Sequence, residues 1–327
     1  MIKMNITILG TGAYGLALSS MFLENNCNIT MWTKFEDEKE MLERDKCHKK
    51  VLPNYIISDS IRITTDLSDA LKNANVIVIA VPVKFVRDTV ILLSKYYKKT
   101  QHICIASKGI EQDSCLFISN IITKYIKTKK ICVISGGTFA VDIINMVPVG
   151  LTLASKYNPT IKIMKKTLEN KYLKLETTGD VLGVEMYGAI KNVIAIASGI
   201  IDGMKLPEST KTMFITKSLN DVMNLIYYFG GNKKTIMTYA GIGDLLLTCN
   251  SVKSRNYSLG KMIGEKKDIT TINDYINNTT IEGLYTLKSI NDLINSKEQK
   301  VFIISVIYDI VYNHGDIKKL EYYLTKN

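Results

Sequence analysis

Short apolar runs alternate with amphipathic segments over the first 180 residues of the chain. Apolar runs of about four to eight residues between turns are typical of strands, and an apolar period near 3.6 is typical of helices. Their alternation predicts βα units around a largely parallel sheet. The predicted strands are residues 6–9, 28–32, 61–64, 76–80, 103–106, 131–134, 151–154 and 172–175, and the clearest helices are 13–24, 85–97 and 116–126.

From about residue 181 onward the pattern is almost entirely helical. The first of these helices is predicted over residues 181–202, which is about 30 Å at 1.5 Å per residue. It is rich in small and apolar residues, with few charged side chains. Neither an internal repeat nor a low-complexity linker separates the two halves. We therefore expect two domains, residues 1–180 and 181–327, connected by a helix.

A glycine-rich turn follows the first predicted strand directly and leads into a helix. It reads Gly10-Thr-Gly12-Ala-Tyr-Gly15. Gly10 allows a tight turn, Gly12 leaves room for a pyrophosphate, and Gly15 lets the helix pack closely on its strand. The free amides at the helix N-terminus favour phosphate. The expected fold class is therefore α/β, with an N-terminal Rossmann-type dinucleotide-binding domain followed by an all-α C-terminal domain.

Composition narrows the class of protein. The chain of 327 residues is 46% apolar and 22% charged, which is ordinary for a soluble globular protein. We find no run of about 18 to 20 uncharged apolar residues, the length of a membrane span. The first strand begins too soon after Met1 for a signal peptide, so we expect a cytoplasmic protein. The net charge of +11 is dispersed as lysine pairs interleaved with acids, and we expect no nucleic-acid partner.

Histidine and cysteine give no sign of a metal site or of a nucleophilic pair. The six cysteines and three histidines lack metal-ligand spacing, so no metal is expected. Another general acid is therefore needed. Lys191 is a candidate, because a lysine in so apolar a helix is desolvated and its pKa falls toward a useful range. The alternative is a lysine whose ammonium reaches solvent at the helix edge.

A series of short motifs stands in a fixed order along the chain. They are GTGAYG at 10–15, AVP at 80–82, SKGIE at 107–111, SGGTFA at 135–140, GVEMYGAIKN at 183–192, GIGDLLLTC at 241–249, SRN at 254–256 and IEG at 281–283. In this order they resemble the bacterial NAD(P)-dependent glycerol-3-phosphate dehydrogenase family. The resemblance extends from the first strand to about residue 283 and is looser beyond.

That resemblance implies the reversible reduction of dihydroxyacetone phosphate to sn-glycerol 3-phosphate by NAD(P)H, supplying glycerophospholipid synthesis. Lys191 matches the general acid/base, Lys108 matches a residue touching cofactor and substrate, and Asp244 matches the residue that holds the substrate hydroxyl and orients Lys191. The further substrate contacts it implies, including the phosphate clamp at 254–256, are Gly136, Thr138, Asn192, Thr248, Ser254, Arg255 and Asn256. The cofactor contacts it implies are Gly10, Gly12, Ala13, Tyr14, Gly15, Lys108, Ala140, Arg255 and Glu282. A homodimer is also expected.

The second strand bears on the choice of cofactor. An NAD site expects an acid at the end of this strand, on the ribose 2′-hydroxyl. Here the strand ends in Trp32-Thr33-Lys34, with no acid before Glu36. Thr33 tolerates a 2′-phosphate and Lys34 pairs with it, so we predict that NADPH is used, with NADH used as well. The alternative is that Glu36 or Asp37 turns back and favours NADH.

Several simpler interpretations remain open. Asp244 suits a helix cap, the segment 254–256 suits a polar turn, and Lys108 suits a solvated loop. The charged run 36–43 is interpreted as a solvated helix face. Gly137 replaces the proline usual in its motif, which makes that loop more mobile. Three alternative functions are a 6-phosphogluconate or β-hydroxyacid type of dehydrogenase, a catalytically silent NAD(P)H sensor, and a basic nucleic-acid binder.

Overall fold

The computed structural model describes residues 3–299 and 301–326, and these form two compact units. The first unit comprises Met1–Ser107 and Ile118–Val181, and the second comprises Lys108–Phe117 and Leu182–Asn327. The predicted division at residue 180 did not anticipate that the segment Lys108–Phe117 packs with the helical unit. This assignment matters, because it places Lys108 in the second unit.

The first unit is built on one eight-stranded sheet with the order β3-β2-β1-β4-β5-β6-β7-β8. All neighbouring strands are parallel except β6 and β7, which are antiparallel. The strands are β1 Asn5–Leu9, β2 Asn28–Trp32, β3 Ile61–Thr64, β4 Val76–Ile79, β5 His102–Ile105, β6 Ile131–Ser135, β7 Val149–Ala154 and β8 Leu173–Thr178. Each predicted strand is confirmed, and each end lies within a few residues of its predicted place.

The helices of the first unit cover this sheet. They are α1 Ala13–Glu24, α2 Glu36–Asp45, α3 Leu67–Leu71, α4 Val86–Ser94, α5 Ile118–Tyr125, α6 Ala140–Ile144 and α7 Asn158–Leu168. The central strands β4 and β5 are buried along their whole length, because helices on both faces exclude water. This explains why they read as continuous apolar runs rather than as alternating patterns.

In the second unit the described residues from 182 onward form helices, turns and loops, as predicted, whereas Lys108–Phe117 forms turns and one isolated antiparallel bridge between Ile110 and Phe117. The α-helices are α8 Val181–Gly203, α9 Glu208–Tyr228, α10 Asp244–Cys249, α11 Arg255–Gly264, α12 Ile269–Asn278, α13 Glu282–Ser296, α14 Phe302–Tyr312 and α15 Lys319–Thr325. Shorter 3₁₀ and π turns occupy Lys233–Met237 and Tyr239–Gly243.

Helix α8 is the core of this unit and confirms the predicted long helix. By length and composition alone it is apolar enough to cross a membrane, but 94% of its most apolar window is buried inside the protein. Its small residues allow another backbone to approach closely. A Cβ on Gly199 would lie 2.8 Å from the amide nitrogen of Lys261, and one on Gly260 would lie 3.0 Å from that of Ile200. Glycine is therefore needed where α8 and α11 cross.

Candidate functional site

The glycine turn between β1 and α1 has the geometry of a phosphate-binding loop. Gly10 adopts a φ of +111°, which favours glycine, and its amide donates to the carbonyl of Trp32 at 2.9 Å. A Cβ on Gly15 would lie 2.6 Å from the Gly10 oxygen, so a larger residue there would break the turn. A Cβ on Gly12, by contrast, would meet nothing within 4 Å. That open space in front of a helix N-terminus suits a pyrophosphate.

Two of the predicted site residues meet beside this turn. The Tyr14 hydroxyl lies 3.3 Å from the Thr138 hydroxyl, which brings together a predicted cofactor contact and a predicted substrate contact. Ala13 is the first residue of α1, and Ala140 is the first of α6. Gly136 is buried directly after β6. These residues therefore stand at the carboxyl ends of their strands, where ligands of doubly wound folds bind.

The end of β2 differs from its predicted arrangement. Lys34 is exposed, and its contact with a ligand phosphate stays a prediction. The charged run 36–43, however, is not wholly a solvated face. Glu38 points inward and accepts hydrogen bonds from Thr33 and from Nε2 of His48, the latter at 3.1 Å. The acid that turns back to the end of β2 is thus Glu38, not Glu36 or Asp37.

In the second unit, two lysines share one buried carboxylate. The ammonium of Lys108 donates to Oδ2 of Asp244 at 2.6 Å, and that of Lys191 donates to Oδ1 at 2.6 Å. Lys191 also donates to the Thr248 hydroxyl at 2.9 Å. Only 2% of the Asp244 side chain is exposed. Two cations and one anion give this group, hereafter the lysine–aspartate cluster, a net positive charge.

The backbone places these three charged groups from different elements. Lys108 follows β5 and precedes Gly109, whose φ of +134° turns the chain sharply. Lys191 lies midway along α8. Asp244 begins α10, after a kink at Gly241, where a Cβ would collide with the carbonyls of Thr235 and Ile236. Glycine at that position is therefore what allows the chain to bring Asp244 to the lysines.

The geometry excludes two simpler interpretations of these side chains. The Lys191 side chain is 11% exposed and its ammonium is held by a buried carboxylate, so it does not extend into solvent. The first turn of α10 follows Gly243 and has no side-chain cap, while the Asp244 carboxylate accepts from two lysines. The side chains of both Lys191 and Asp244 are therefore fixed by buried ion pairs.

Burial and charge shift the pKa values of the cluster. Burial lowers the pKa of Lys191, and the positive charge of Lys108 lowers it further, whereas Asp244 opposes both. Burial on its own would raise the pKa of Asp244, but Lys108 and Lys191 outweigh it and hold that pKa below its usual value. The result is an ionised carboxylate beside an ammonium that gives up its proton more readily than a solvated lysine does.

A second polar group lies where α8, α11 and α13 meet. The amide of Asn256 donates to Oδ1 of Asn192 at 2.9 Å and accepts from the backbone N–H of Gly283 at 2.9 Å. Ser254 caps α11 by accepting from the N–H of Tyr257. Residues 254–256 are thus a helix start rather than a polar turn. Arg255, the first residue of α11, is exposed at this end.

Glu282 carries a carboxyl group near these cations. Burial raises its pKa, while Arg255, Lys191 and Lys108 lower it by a smaller amount. Glu282 begins α13, next to the Gly283 amide that holds Asn256. The net result is a Glu282 pKa above the usual value for a glutamate.

The predicted site residues thus fall into two groups. Gly10, Gly12, Ala13, Tyr14, Gly15, Lys34, Gly136, Thr138 and Ala140 belong to the first unit, and Lys108, Lys191, Asn192, Asp244, Thr248, Ser254, Arg255, Asn256 and Glu282 belong to the second. Glu38 and His48 were not assigned to a site, and Thr33 was named only as a residue that tolerates a 2′-phosphate. No sequence signal marked Glu38 as the one inward residue of its charged run, apart from its spacing of four from the buried Leu42. Among residues 3–299 and 301–326, no three His, Cys, Asp or Glu side chains cluster as metal ligands do.

Comparison with known proteins bears on both units. The model of the NAD-dependent glycerol-3-phosphate dehydrogenase N-terminus matches residues 5–161, and that of the C-terminus matches residues 180–321. A glycerol-3-phosphate dehydrogenase [NAD(P)+] of Wigglesworthia glossinidia brevipalpis is 32% identical over 98% of the chain and 97% of its own length. One from Agathobacter rectalis is 30% identical over 96% of the chain and 93% of its own.

A solved structure agrees over the whole fold. The crystal structure of a glycerol-3-phosphate dehydrogenase from Coxiella burnetii is similar with a TM-score of 0.93 at 26% identity, covering 99% of both chains. The fold of each unit is therefore that of a glycerol-3-phosphate dehydrogenase.

Proposed function

The chain belongs to the NAD-dependent glycerol-3-phosphate dehydrogenase family, and we propose that it reduces dihydroxyacetone phosphate reversibly to sn-glycerol 3-phosphate. The single observation that carries this proposal is the lysine–aspartate cluster, in which Lys191 and Lys108 each lie 2.6 Å from an oxygen of Asp244. Reduction of a ketone needs a hydride, a proton and stabilisation of the developing alkoxide. The cluster supplies the second and the third.

The proton comes from Lys191 in this proposal. As hydride adds to the carbonyl carbon, the electron pair of the C=O π bond moves to oxygen, and that oxygen takes a proton from the Lys191 ammonium. The neutral amine then regains a proton from water, and oxidation runs through the same steps in reverse. Burial supports this role, because it lowers the pKa of Lys191 toward the working pH.

Lys108, Asp244 and Thr248 hold and orient the reacting groups. The ammonium of Lys108 is a point charge suited to the developing oxyanion. Asp244 fixes both ammoniums and accepts from a substrate hydroxyl. The Thr248 hydroxyl donates to the Asp244 backbone carbonyl at 2.6 Å, so its oxygen is left to accept from Lys191. With one N–H of Lys191 on Asp244 and a second on Thr248, the direction of the third N–H is fixed.

The substrate phosphate is assigned to the start of α11. Arg255 offers a planar fork that matches phosphate oxygens, and the helix N-terminus adds backbone amides. Asn256 has one N–H left after its bond to Asn192, and the hydroxyl proton of Ser254 stays free to donate after that oxygen has capped the helix. Gly136 and Thr138 of the first unit complete the assigned substrate contacts.

The first unit fits a nicotinamide dinucleotide. A Cβ on Gly12 would meet nothing within 4 Å, so the space in front of the α1 amides is open for a pyrophosphate to approach the backbone. Gly10, Ala13, Tyr14 and Gly15 would hold it, and Lys34 would contact the ribose. The resemblance to the family assigns further cofactor contacts to Ala140, Lys108, Arg255 and Glu282. When bound, NAD(P)H supplies the hydride.

We also propose that the chain works in the cytoplasm as a homodimer and supplies glycerol phosphate for phospholipids. The six free cysteines support a reducing compartment.

The dimer stays a prediction, and light scattering during size-exclusion chromatography measures the mass directly. A mass of one chain across the concentration range would contradict the dimer.

The test of function is the oxidation of NADPH and of NADH by the purified protein on addition of dihydroxyacetone phosphate, with unphosphorylated dihydroxyacetone alongside. Rapid oxidation with the phosphorylated ketone alone is the expected result. Cofactor binding without turnover would favour a sensor instead. Equal rates with both ketones would contradict the assigned phosphate clamp.

A further inference from the structure

One acidic side chain outside the lysine–aspartate cluster, Glu38, lies at the end of β2, where Rossmann-type folds distinguish NAD from NADP. Glu38 lies on α2, but its carboxylate accepts hydrogen bonds from Thr33, the residue after β2, and from Thr11 within the glycine turn. Thr33 and Thr11 are each 3% exposed. The carboxylate is therefore anchored between the end of β2 and the phosphate-binding turn.

The third partner of this carboxylate is a buried imidazole. Nε2 of His48 lies 3.1 Å from Oε1 of Glu38, and His48 is 8% exposed. Its other nitrogen, Nδ1, is buried with no hydrogen-bond partner, so the ring's bond to Glu38 is what fixes its orientation. The imidazole serves to position the carboxylate and forms no other polar contact of its ring.

The carboxylate is ionised and partly exposed. Burial would raise the pKa of Glu38, but hydrogen bonds from His48, Thr11 and Thr33 lower it to about 2. The Glu38 side chain remains 24% exposed, so a ligand hydroxyl has access to it. By contrast, the Glu36 carboxylate has different partners and accepts hydrogen bonds from Lys39 and Thr65.

In a Rossmann-type fold the adenosine ribose lies at the end of β2, and an acid there accepts from its 2′-hydroxyl. We infer that Glu38, supplied from helix α2 rather than from the strand end, binds the ribose 2′-hydroxyl and makes this chain prefer NADH to NADPH. A 2′-phosphate would place a second anion beside a fixed carboxylate. This reverses the order suggested by Thr33 and Lys34, and it rests on the proposed function only for the binding of a nicotinamide dinucleotide.

Lys34 acts against this preference but does not cancel it. Its ammonium is exposed, and an exposed cation on a flexible stem is screened and gains little from one partner. Glu38 is held by three partners and loses little freedom when a ligand binds. The rigid anion therefore outweighs the mobile cation, and with Lys34 present we expect NADPH to bind at higher concentration.

Binding measurements on the full chain test this without turnover. The single tryptophan, Trp32, gives an emission that reduced nicotinamide absorbs, so NADH and NADPH are each titrated by energy transfer, with calorimetry as a check. Wild-type protein is expected to bind NADH about tenfold more tightly than NADPH, a difference of about 1.4 kcal/mol. Glu38→Gln is expected to remove that difference or invert it.

Glu40→Gln is the matched control, because Glu40 lies on the same helix and is exposed. It is expected to leave the NADH-to-NADPH ratio unchanged. Lys34→Ala is expected to weaken NADPH selectively. Thermal melting of each variant verifies that it is folded. The ratio of NADH to NADPH affinity in wild-type protein tests the inference even if a variant fails to fold.

A wild-type protein that binds NADPH as tightly as NADH overturns the inference while leaving the proposed function intact. So does a Glu38→Gln variant that is folded and keeps the wild-type ratio. Binding of neither cofactor by wild-type protein would overturn the inference and the proposed function together.

Discussion

Replacing Lys191 by alanine tests the chemistry most directly. The substitution removes the proposed proton donor and one of the two cations around Asp244, leaving a single ion pair between Lys108 and Asp244 at 2.6 Å. The net charge of the lysine–aspartate cluster falls from positive to neutral. The variant therefore loses both the proton and part of the field that stabilises the alkoxide.

The size of the effect follows from these two losses. A positioned general acid contributes about 10²- to 10⁴-fold, and one oxyanion donor about 10²- to 10³-fold. A single ammonium makes both contributions and Lys108 stays in place, so the two factors do not multiply in full. We expect kcat to fall about 10³-fold, which corresponds to about 4 kcal/mol of transition-state stabilisation.

The assay compares steady-state reduction of dihydroxyacetone phosphate with cofactor affinity in the same preparation. Cofactor affinity is expected to stay within a factor of about two, because the glycine turn is untouched. Lys288→Ala is the matched control, since Lys288 is exposed on α13. Added small alkylamines are expected to restore part of the Lys191→Ala rate. Turnover within about tenfold of wild type would refute the assignment of Lys191 as proton donor.

Three further outcomes are expected. In the proposed reaction the ammonium form of Lys191 drives reduction, and its pKa is raised by Asp244 and lowered by Lys108. Asp244→Asn is therefore expected to move the alkaline fall of the reduction rate to lower pH, and Lys108→Met to move it to higher pH. Measured pH–rate profiles in which both variants shift in the same direction would contradict the roles given to the lysine–aspartate cluster. Arg255→Lys raises the KM for the phosphorylated ketone about 10- to 100-fold, since lysine lacks the bidentate fork, and an unchanged KM places the phosphate elsewhere. Gly260→Val lowers stability by several kcal/mol, because its Cβ would collide with the Ile196 carbonyl; urea unfolding measures this, and an unchanged midpoint contradicts the close crossing of α8 and α11.

The sequence was sufficient where a local pattern determines the structure. The strands and helix α1 follow from apolar runs bounded by turns, and α8 follows from an apolar stretch too long for a strand. The glycine turn could be predicted because glycine is required at Gly10 by its positive φ and at Gly15 by its close contact with the Gly10 carbonyl. These features depend on residues near one another in the chain.

Other features depend on contacts between distant residues. Glu38 and Glu36 are indistinguishable in a charged run, yet only the helix rotation fixed by Leu42 turns Glu38 toward Thr33. The assignment of Lys108–Phe117 to the second unit arises likewise from packing, as in the bond from the Ser289 hydroxyl to the Ile110 carbonyl. The antiparallel placement of β7 left no mark on the predicted pattern, since buried strands of either direction have the same composition.

In the proposed reaction, the sharing of Asp244 between two lysines lowers the cost of proton donation by the buried Lys191. Breaking a buried ion pair leaves an uncompensated charge, which costs about 3–5 kcal/mol. When Lys191 becomes neutral here, Asp244 still accepts from Lys108 at 2.6 Å, so the carboxylate keeps an ionic partner throughout the cycle. In the protonated state, the repulsion from Lys108 favours release of the Lys191 proton. In the proposed reaction Lys108 therefore acts on both states of the cluster: its charge favours loss of the Lys191 proton, and it keeps Asp244 paired once that proton has gone.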